Sequence, residues 1–169
     1  LQTLSDAASS SKEPSNAARL LVLVGRWYND KALRPDFAVA CYTRALGLEA
    51  GNDAALEGAG NVYRKAQQWP ELVAVLLRRA DAQALPGRAR EFRAEAADVL
   101  EAKLGDARRA RELLEKILTE DPTQARAIAA LERIYIAADE WNLVVALLER
   151  KAEVPHGAAR AEVYAEIAE

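Results

Sequence analysis

Slid along itself by 72 positions, the sequence meets itself again without a gap. Tyr63 falls on Tyr135, Trp69 on Trp141, Val73 and Ala74 on Val145 and Ala146, Leu76 on Leu148, Arg78 on Arg150, and Ala80 on Ala152. Farther out, Lys31 meets Lys103, Ala38 meets Ala110, Leu46 meets Leu118, Phe92 meets Tyr164, and Ala96 meets Ala168. Self-similarity at fixed spacing restricts the fold sharply, because a unit of a repeat array cannot bury its apolar face alone. Each unit must stack on a neighbour, and the expected product is a solenoid.

The type of unit follows from which residues recur. Of 169 residues only ten are aromatic (three Trp, five Tyr, two Phe), whereas Ala, Leu, Glu and Arg, all strong helix formers, dominate. Helical i, i+3, i+4 spacing runs from Ala17 almost to the end. Leu20, Leu21, Val24 and Tyr28 mark a first helix to Asp30, and Pro35 and Asp36 open a second through Leu48, with Phe37, Cys41, Ala45 and Leu48 inward. Gly51-Asn52-Asp53 caps a third, and Pro70 begins a fourth with Leu72, Val75, Leu76 and Arg79 on one face. After Leu85-Pro86-Gly87 a long fifth helix ends at Gly105, a residue suited to the left-handed stop. Asp106 caps the sixth, which ends at Glu120. Asp121-Pro122-Thr123 turns into the seventh, with Ile128, Leu131, Ile134 and Tyr135 inward, and Asp139 caps the eighth. Past Pro155-His156-Gly157 a ninth helix carries Val163, Tyr164 and Ile167. Short connections make neighbouring helices antiparallel. The expected hairpins are 17–50, 52–84, 87–120 and 123–154, followed by a helix at 158–169 and preceded by a serine-rich flexible leader at 1–16.

Within each hairpin the spacing resembles the tetratricopeptide repeat (TPR), a helix–turn–helix unit of about 34 residues. Gly25 and Tyr28 match its small and aromatic positions in the first hairpin, with Ala38, Tyr42 and Ala45 on the second helix; Gly60 and Tyr63 match in the second hairpin. The third has Ala97, Leu100, Ala110, Leu114 and the closing Pro122, and the fourth keeps Tyr135 but has Glu132 at the small position. Leu72 and Val144 depart from the family pattern, and Trp69 and Trp141 head the second helix of alternate hairpins, so two hairpin types build one 72-residue super-repeat. The resemblance implies an all-α, right-handed α-α superhelix of about nine antiparallel helices, acting as a non-enzymatic scaffold or adaptor. The two tryptophans, Tyr63 and Tyr135 are then expected to pack between helices.

The resemblance also implies a concave groove lined by the first helix of each hairpin. Carried over, those positions are Arg19, Arg26 and Asn29; Glu57, Asn61, Arg64 and Lys65; Glu91, Asp98 and Glu101; and Arg126 and Arg133. Partner contacts are expected at Arg19, Arg26, Asn61, Arg64, Lys65, Asp98, Arg126 and Arg133. Asn61 offers a donor and an acceptor to a peptide main chain, and an arginine grips a carboxylate in a two-point fork. The expected partner is therefore a protein or peptide. Self-association, continuation into further repeats, or docking for an enzyme encoded elsewhere are the alternatives.

Other classes fare worse. A net charge of -3 does not suit a phosphate-backbone binder. Arg78, Arg79, Arg88, Arg90 and Arg93 are interrupted by acids and are expected to form surface ion pairs. Gly58 and Gly60 lie in a helical pattern with no phosphate-loop Lys-Ser/Thr after them, so close packing explains them. Cys41 is the only cysteine and reads as an inert, buried thiol. His156 is the only histidine and has no metal-ligand spacing around it, and the Glu-x-x-His partner that a carboxylate site at Glu95, Asp98 and Glu101 would need is missing. No catalytic residue, metal site or cofactor is expected. No apolar run approaches the ~20 residues of a membrane span and no signal-peptide pattern opens the chain, so a cytoplasmic setting is expected. A chain beginning at Leu1 with no methionine reads as a piece of a longer protein.

Overall fold

The computed structural model describes residues 13–153, and within them every regular element is an α-helix. The helices are α1 (Pro14–Asp30), α2 (Pro35–Leu48), α3 (Asp53–Lys65), α4 (Trp69–Ala82), α5 (Pro86–Leu104), α6 (Ala107–Glu120), α7 (Ala125–Ala137) and α8 (Trp141–Glu153). Residues 1–12 of the leader expected over 1–16, His156, and the ninth helix expected over 158–169 with Val163, Tyr164 and Ile167 lie outside the described residues, while Pro14 to Asn16 of that leader already belong to α1. The chain divides into two compact units, Leu1–Phe92 and Arg93–Glu169.

In the N-terminal unit α1 packs on α2 and α3, α2 on α3, and α3 on α4. Its core joins Ala18, Leu21 and Val22 of α1 to Ala38, Tyr42, Ala45 and Leu46 of α2 and to Ala55, Leu56, Ala59 and Val62 of α3. Most of these side chains are small, which is what lets helices approach closely enough for ridges to fit grooves. The inward stripe of α2 differs from the one its spacing suggests. Phe37 and Leu48 are each 43% exposed, and Ala38, Tyr42, Ala45 and Leu46 are buried in their place. Both stripes have helical spacing; the large Phe37 ring is drawn outward, stacked on Tyr28 at 5.2 Å and covered by the Arg34 guanidinium at 4.3 Å.

In the C-terminal unit α6 packs on α7 and α7 on α8. Leu114, Ile117 and Leu118 of α6 are buried, as are Ile128, Leu131, Ile134 and Tyr135 of α7 and Val144, Leu147 and Leu148 of α8. Trp141 does not pack as expected: it is 57% exposed, while its repeat counterpart Trp69 is half-buried.

Turns and caps repeat with the same period. Asn52 Oδ1 accepts from the Ala55 amide at 2.9 Å, and Gln124 Oε1, 72 positions on, accepts from the Ala127 amide at 2.9 Å. Both satisfy an amide that has no partner inside the first turn. Among the described residues four adopt left-handed backbone, and they form two repeat pairs: Leu33 (φ 52) with Gly105 (φ 65), and Gln67 (φ 56) with Asp139 (φ 57). Each reverses the chain inside a hairpin. Asp139 therefore forms the turn and does not cap α8, which starts at Trp141. Helix α1 starts at Pro14, three residues earlier than its apolar stripe suggests, because proline is tolerated in a first turn.

Two arginines related by the repeat make the same kind of bond. Arg78 Nη2 donates to the Ala50 carbonyl just past α2 at 3.2 Å, and Arg150 Nη2 donates to the Leu118 carbonyl in the last turn of α6 at 2.8 Å. Carbonyls at a helix C-terminus lack intrahelical partners and carry the negative end of the dipole, so a cation there is doubly favoured.

Candidate functional groove

In the N-terminal unit α1 and α3 each approach Tyr42 of α2 closely through a glycine. A Cβ built on Gly25 would lie 2.8 Å from Tyr42 Cε1, and one on Gly58 would lie 2.4 Å from Tyr42 Cζ. Neither distance is tolerable for a side chain, so glycine at both positions is what admits the ring. The Tyr42 ring is thus held between two glycines and is only 3% exposed. Among the described residues no buried side-chain polar atom lacks a hydrogen-bond partner, and Tyr42 borders open space between α1 and α3. Burial, followed by the field of Asp30, raises its pKa, while Arg26 opposes the rise.

Above this ring lies a cavity of about 230 Å³ lined by Arg26, Asn29, Asp30, Tyr42, Ala54, Glu57, Gly58 and Asn61. Arg26, Asn29 and Asp30 project from the last turns of α1, and Ala54 to Asn61 come from α3. Asn29 donates to Asp30 Oδ1 at 2.7 Å. Arg26 and Glu57, of opposite charge, line the same cavity without an ion-pair partner among the described residues.

The C-terminal unit fills the corresponding positions differently. Ala97 and Ala130 stand where Gly25 and Gly58 are, and Leu114 replaces Tyr42. Across α5 and α7, Arg126 pairs with Asp98, and Arg133 clasps Glu101 through Nε at 2.8 Å and Nη2 at 2.6 Å. The hydrogen bonds from Arg133 hold the Glu101 carboxyl below its ordinary pKa, and the Arg133 guanidinium is raised in return. A second polar network lies between α6 and α7. Tyr135 donates to Glu115 Oε1 at 2.7 Å, Arg111 bonds Glu115 at 3.0 Å and Glu140 at 2.8 Å, and the Arg111 guanidinium lies 5.0 Å from the Tyr135 ring centre. Burial first, then the bond to Glu115, pushes the Tyr135 phenol up to about 12. The cavity beside this network, about 490 Å³, is lined by the paired charges Arg111, Glu115 and Glu140 and also by Arg108 and Glu112.

Of the eight positions expected to meet a partner, Arg26 and Asn61 share the α1–α3 cavity. Arg64 lies outside its lining and donates to Asn61 Oδ1 at 3.3 Å. Arg19 and Lys65 are exposed on α1 and α3 away from it. Asp98, Arg126 and Arg133 are engaged with charges of their own chain, so these acidic and basic side chains neutralise one another. The Tyr42 floor and its two glycines have a sequence signal, since all three change together to Ala, Leu and Ala at the repeat counterparts. In the arginine-rich stretch, Arg79 pairs with Asp53 at 2.8 Å and covers the Phe92 ring at 4.3 Å, and Arg93 pairs with Glu120 at 2.8 Å. Cys41 is half-buried, and burial raises its thiol pKa, which keeps it in the unreactive form. Among the described residues there is no cluster of His, Cys, Asp and Glu suited to a metal ion, and no helix long and apolar enough to cross a membrane.

No protein-family model matches the chain, and no curated protein sequence is detectably similar to it. Solved structures do match. A crystal structure of MamA is similar at 18% identity over 98% of this chain and 88% of that one, with a TM-score of 0.57. A mutant form of MamA matches at 16% identity over 91% and 94% of the two chains, with a TM-score of 0.52. YrrB, a TPR protein with an unusual peptide-binding site, matches at 21% identity over 96% and 82%, with a TM-score of 0.53. With its paired helices, its period and these likenesses, the chain has the all-α helical-repeat fold of the tetratricopeptide-repeat proteins.

Proposed function

We propose that this chain is a non-enzymatic interaction module that takes a protein or peptide segment in the groove between α1 and α3. The observation carrying this reading is the cavity over Tyr42, where Tyr42, Asn29, Asn61 and Arg26 converge. Amide side chains offer a donor and an acceptor to a passing main chain. The peptide-binding site named for YrrB supports the same class of ligand.

The test closes the groove with the chain's own solution. Arg26→Asp together with Ala54→Arg rebuilds in the N-terminal unit the pair that the C-terminal unit makes between Asp98 and Arg126. A random short-peptide library is selected on the parent chain, and the selected peptides are then measured on both proteins. Loss of binding in the closed variant, with helicity unchanged, supports the groove; equal binding places any partner elsewhere.

A second reading has its own observation. Leu23 and Trp27 of α1 and Phe37 of α2 are exposed apolar residues of the N-terminal unit, and a cluster of this kind suits stacking on another helical hairpin. Sedimentation across a range of concentrations separates a monomer from a self-associating chain.

A further inference from the structure

The two units share one backbone plan, so the C-terminal unit shows which charges that plan pairs across its groove. There, α5 contributes Asp98 and Glu101, and α7 answers with Arg126 and Arg133. In the N-terminal unit Arg26 occupies the Asp98 position, and Ala54 occupies that of Arg126. The charge is reversed and its partner removed. Asn29 and Asn61 take the places of Glu101 and Arg133, and Glu57 appears where the other unit has Ala129. The groove therefore holds one cation, Arg26, and two anions, Glu57 and Asp30, with no ion pair between Arg26 and Glu57, while Asp30 accepts from the Asn29 amide.

Resting on the groove reading above, we infer that the segment it takes is amphoteric, presenting a carboxylate to Arg26 and a cation to Glu57. A purely anionic ligand would meet Asp30 and Glu57, and like charges brought together across an interface are destabilising. A purely cationic ligand would meet Arg26. A ligand with both signs answers Arg26 and Glu57 together and reproduces, between molecules, the pairing that the C-terminal unit makes within itself. Asn29 Oδ1 and Asn61 Nδ2, the amide ends not engaged by Asp30 and Arg64, remain for the ligand's peptide groups. Two sources supply this chemistry: a chain ending in Lys or Arg, whose terminal carboxylate faces Arg26, or an internal acidic side chain next to a basic one.

The experiment selects random short peptides on the intact chain from two libraries, one ending in free carboxylates and one in carboxamides. Selected peptides are then measured on the parent, on Arg26→Glu, on Glu57→Lys, and on the closed Arg26→Asp, Ala54→Arg variant. Expected are peptides that carry an acid close to a base, each bound at least about tenfold more weakly by either single variant, as for charge-assisted contacts. Reselection on Arg26→Glu should discard the acid, and reselection on Glu57→Lys should discard the base. Enrichment in the free-carboxylate library alone assigns the acid to a chain terminus, and enrichment in both assigns it to a side chain. Peptides that bind the parent and fail on the closed variant, yet show no charge preference and tolerate both single variants, overturn this inference and leave the groove standing. An empty selection, or equal binding by the closed variant, overturns the groove and the inference with it.

Discussion

The two units of this chain apply one helical plan to different polar ends. The C-terminal unit closes on itself: Asp98 and Glu101 meet Arg126 and Arg133, and Tyr135, Glu115, Arg111 and Glu140 form a connected network. The N-terminal unit has Val39, Thr43 and Gln68 where that network has Arg111, Glu115 and Glu140, and Val39 packs against its apolar core. Its groove charges stay unpaired over a tyrosine held between glycines. Duplication preserves the packing residues that the backbone needs and frees the groove residues to diverge. One unit pairs these charges within itself, and the other leaves Arg26 and Glu57 exposed to solvent.

The sharpest way to break this comparison is to exchange the residues beneath the groove. Gly58→Ala drives a methyl group into the Tyr42 ring, and overpacking of that kind costs about 2–3 kcal/mol, read from denaturant unfolding. Adding Tyr42→Leu reproduces the Leu114 and Ala130 combination and should recover most of the loss. The reverse change, Ala130→Gly, should cost only about 1 kcal/mol, the helix penalty of glycine. Equal effects of Gly58→Ala and Ala130→Gly would show that the ring and the glycine do not act as a pair.

The hairpin turns offer a finer comparison. Leu33, 76% exposed and left-handed, and Gly105 are repeat counterparts. Gly105→Ala should destabilise by about 1 kcal/mol, and Leu33→Gly should gain up to about 1 kcal/mol, since a branched residue there is strained. A thermal melt of each variant checks both signs.

Tyr135→Phe removes the bond to Glu115 and should cost about 1 kcal/mol. Because the folded phenol is raised to about 12, its contribution is complete below the ordinary tyrosine value of about 10 and fades as pH rises through the folded value. An ultraviolet phenolate titration should lose its latest-titrating step in Tyr135→Phe. If all five tyrosines still titrate together in the parent chain, the network is not formed in solution.

Smallest are the cross-groove pairs. Glu101→Gln should cost about 0–1 kcal/mol and less at high salt, as exposed pairs do. With its folded pKa lowered by Arg133, Glu101 stabilises the chain above the ordinary carboxylate range, and the effect is lost as pH falls through the depressed value. Melts from neutral to acid pH, parent against Glu101→Gln, should converge at the acid end.

Much of this was legible in residues alone. The 72-residue shift, the breaks at Pro35, Gly51 and Gly105, and the small-and-aromatic pattern specify paired helices. Arg26 and Asn61 are readable as groove residues because the first helix of each hairpin presents them at fixed positions. Other features were not legible. Only glycine advertises a left-handed turn, so Gly105 signals one and Leu33, Gln67 and Asp139 do not. The α2 stripe was ambiguous because two overlapping sets, one with Phe37 and one with Tyr42, have helical spacing, and packing against α1 and α3 decides between them. Whether a groove charge is free or paired depends on side chains about 28 to 32 residues apart, a relation between helices that no single helix pattern contains.

The arginines at 78 and 150 carry a consequence for anyone who would cut or graft this array. Each completes the trailing end of a helix that belongs to the hairpin before its own. The unit that reads as a hairpin in sequence is therefore not the unit that can be transplanted intact. A graft ending at Leu48 or Glu120 would carry a frayed edge, and one that begins with the following hairpin would bring an arginine with nothing to hold. The transferable block overlaps its neighbours as roof tiles do, and the direction of the overlap gives the array a polarity that its near-symmetric sequence conceals.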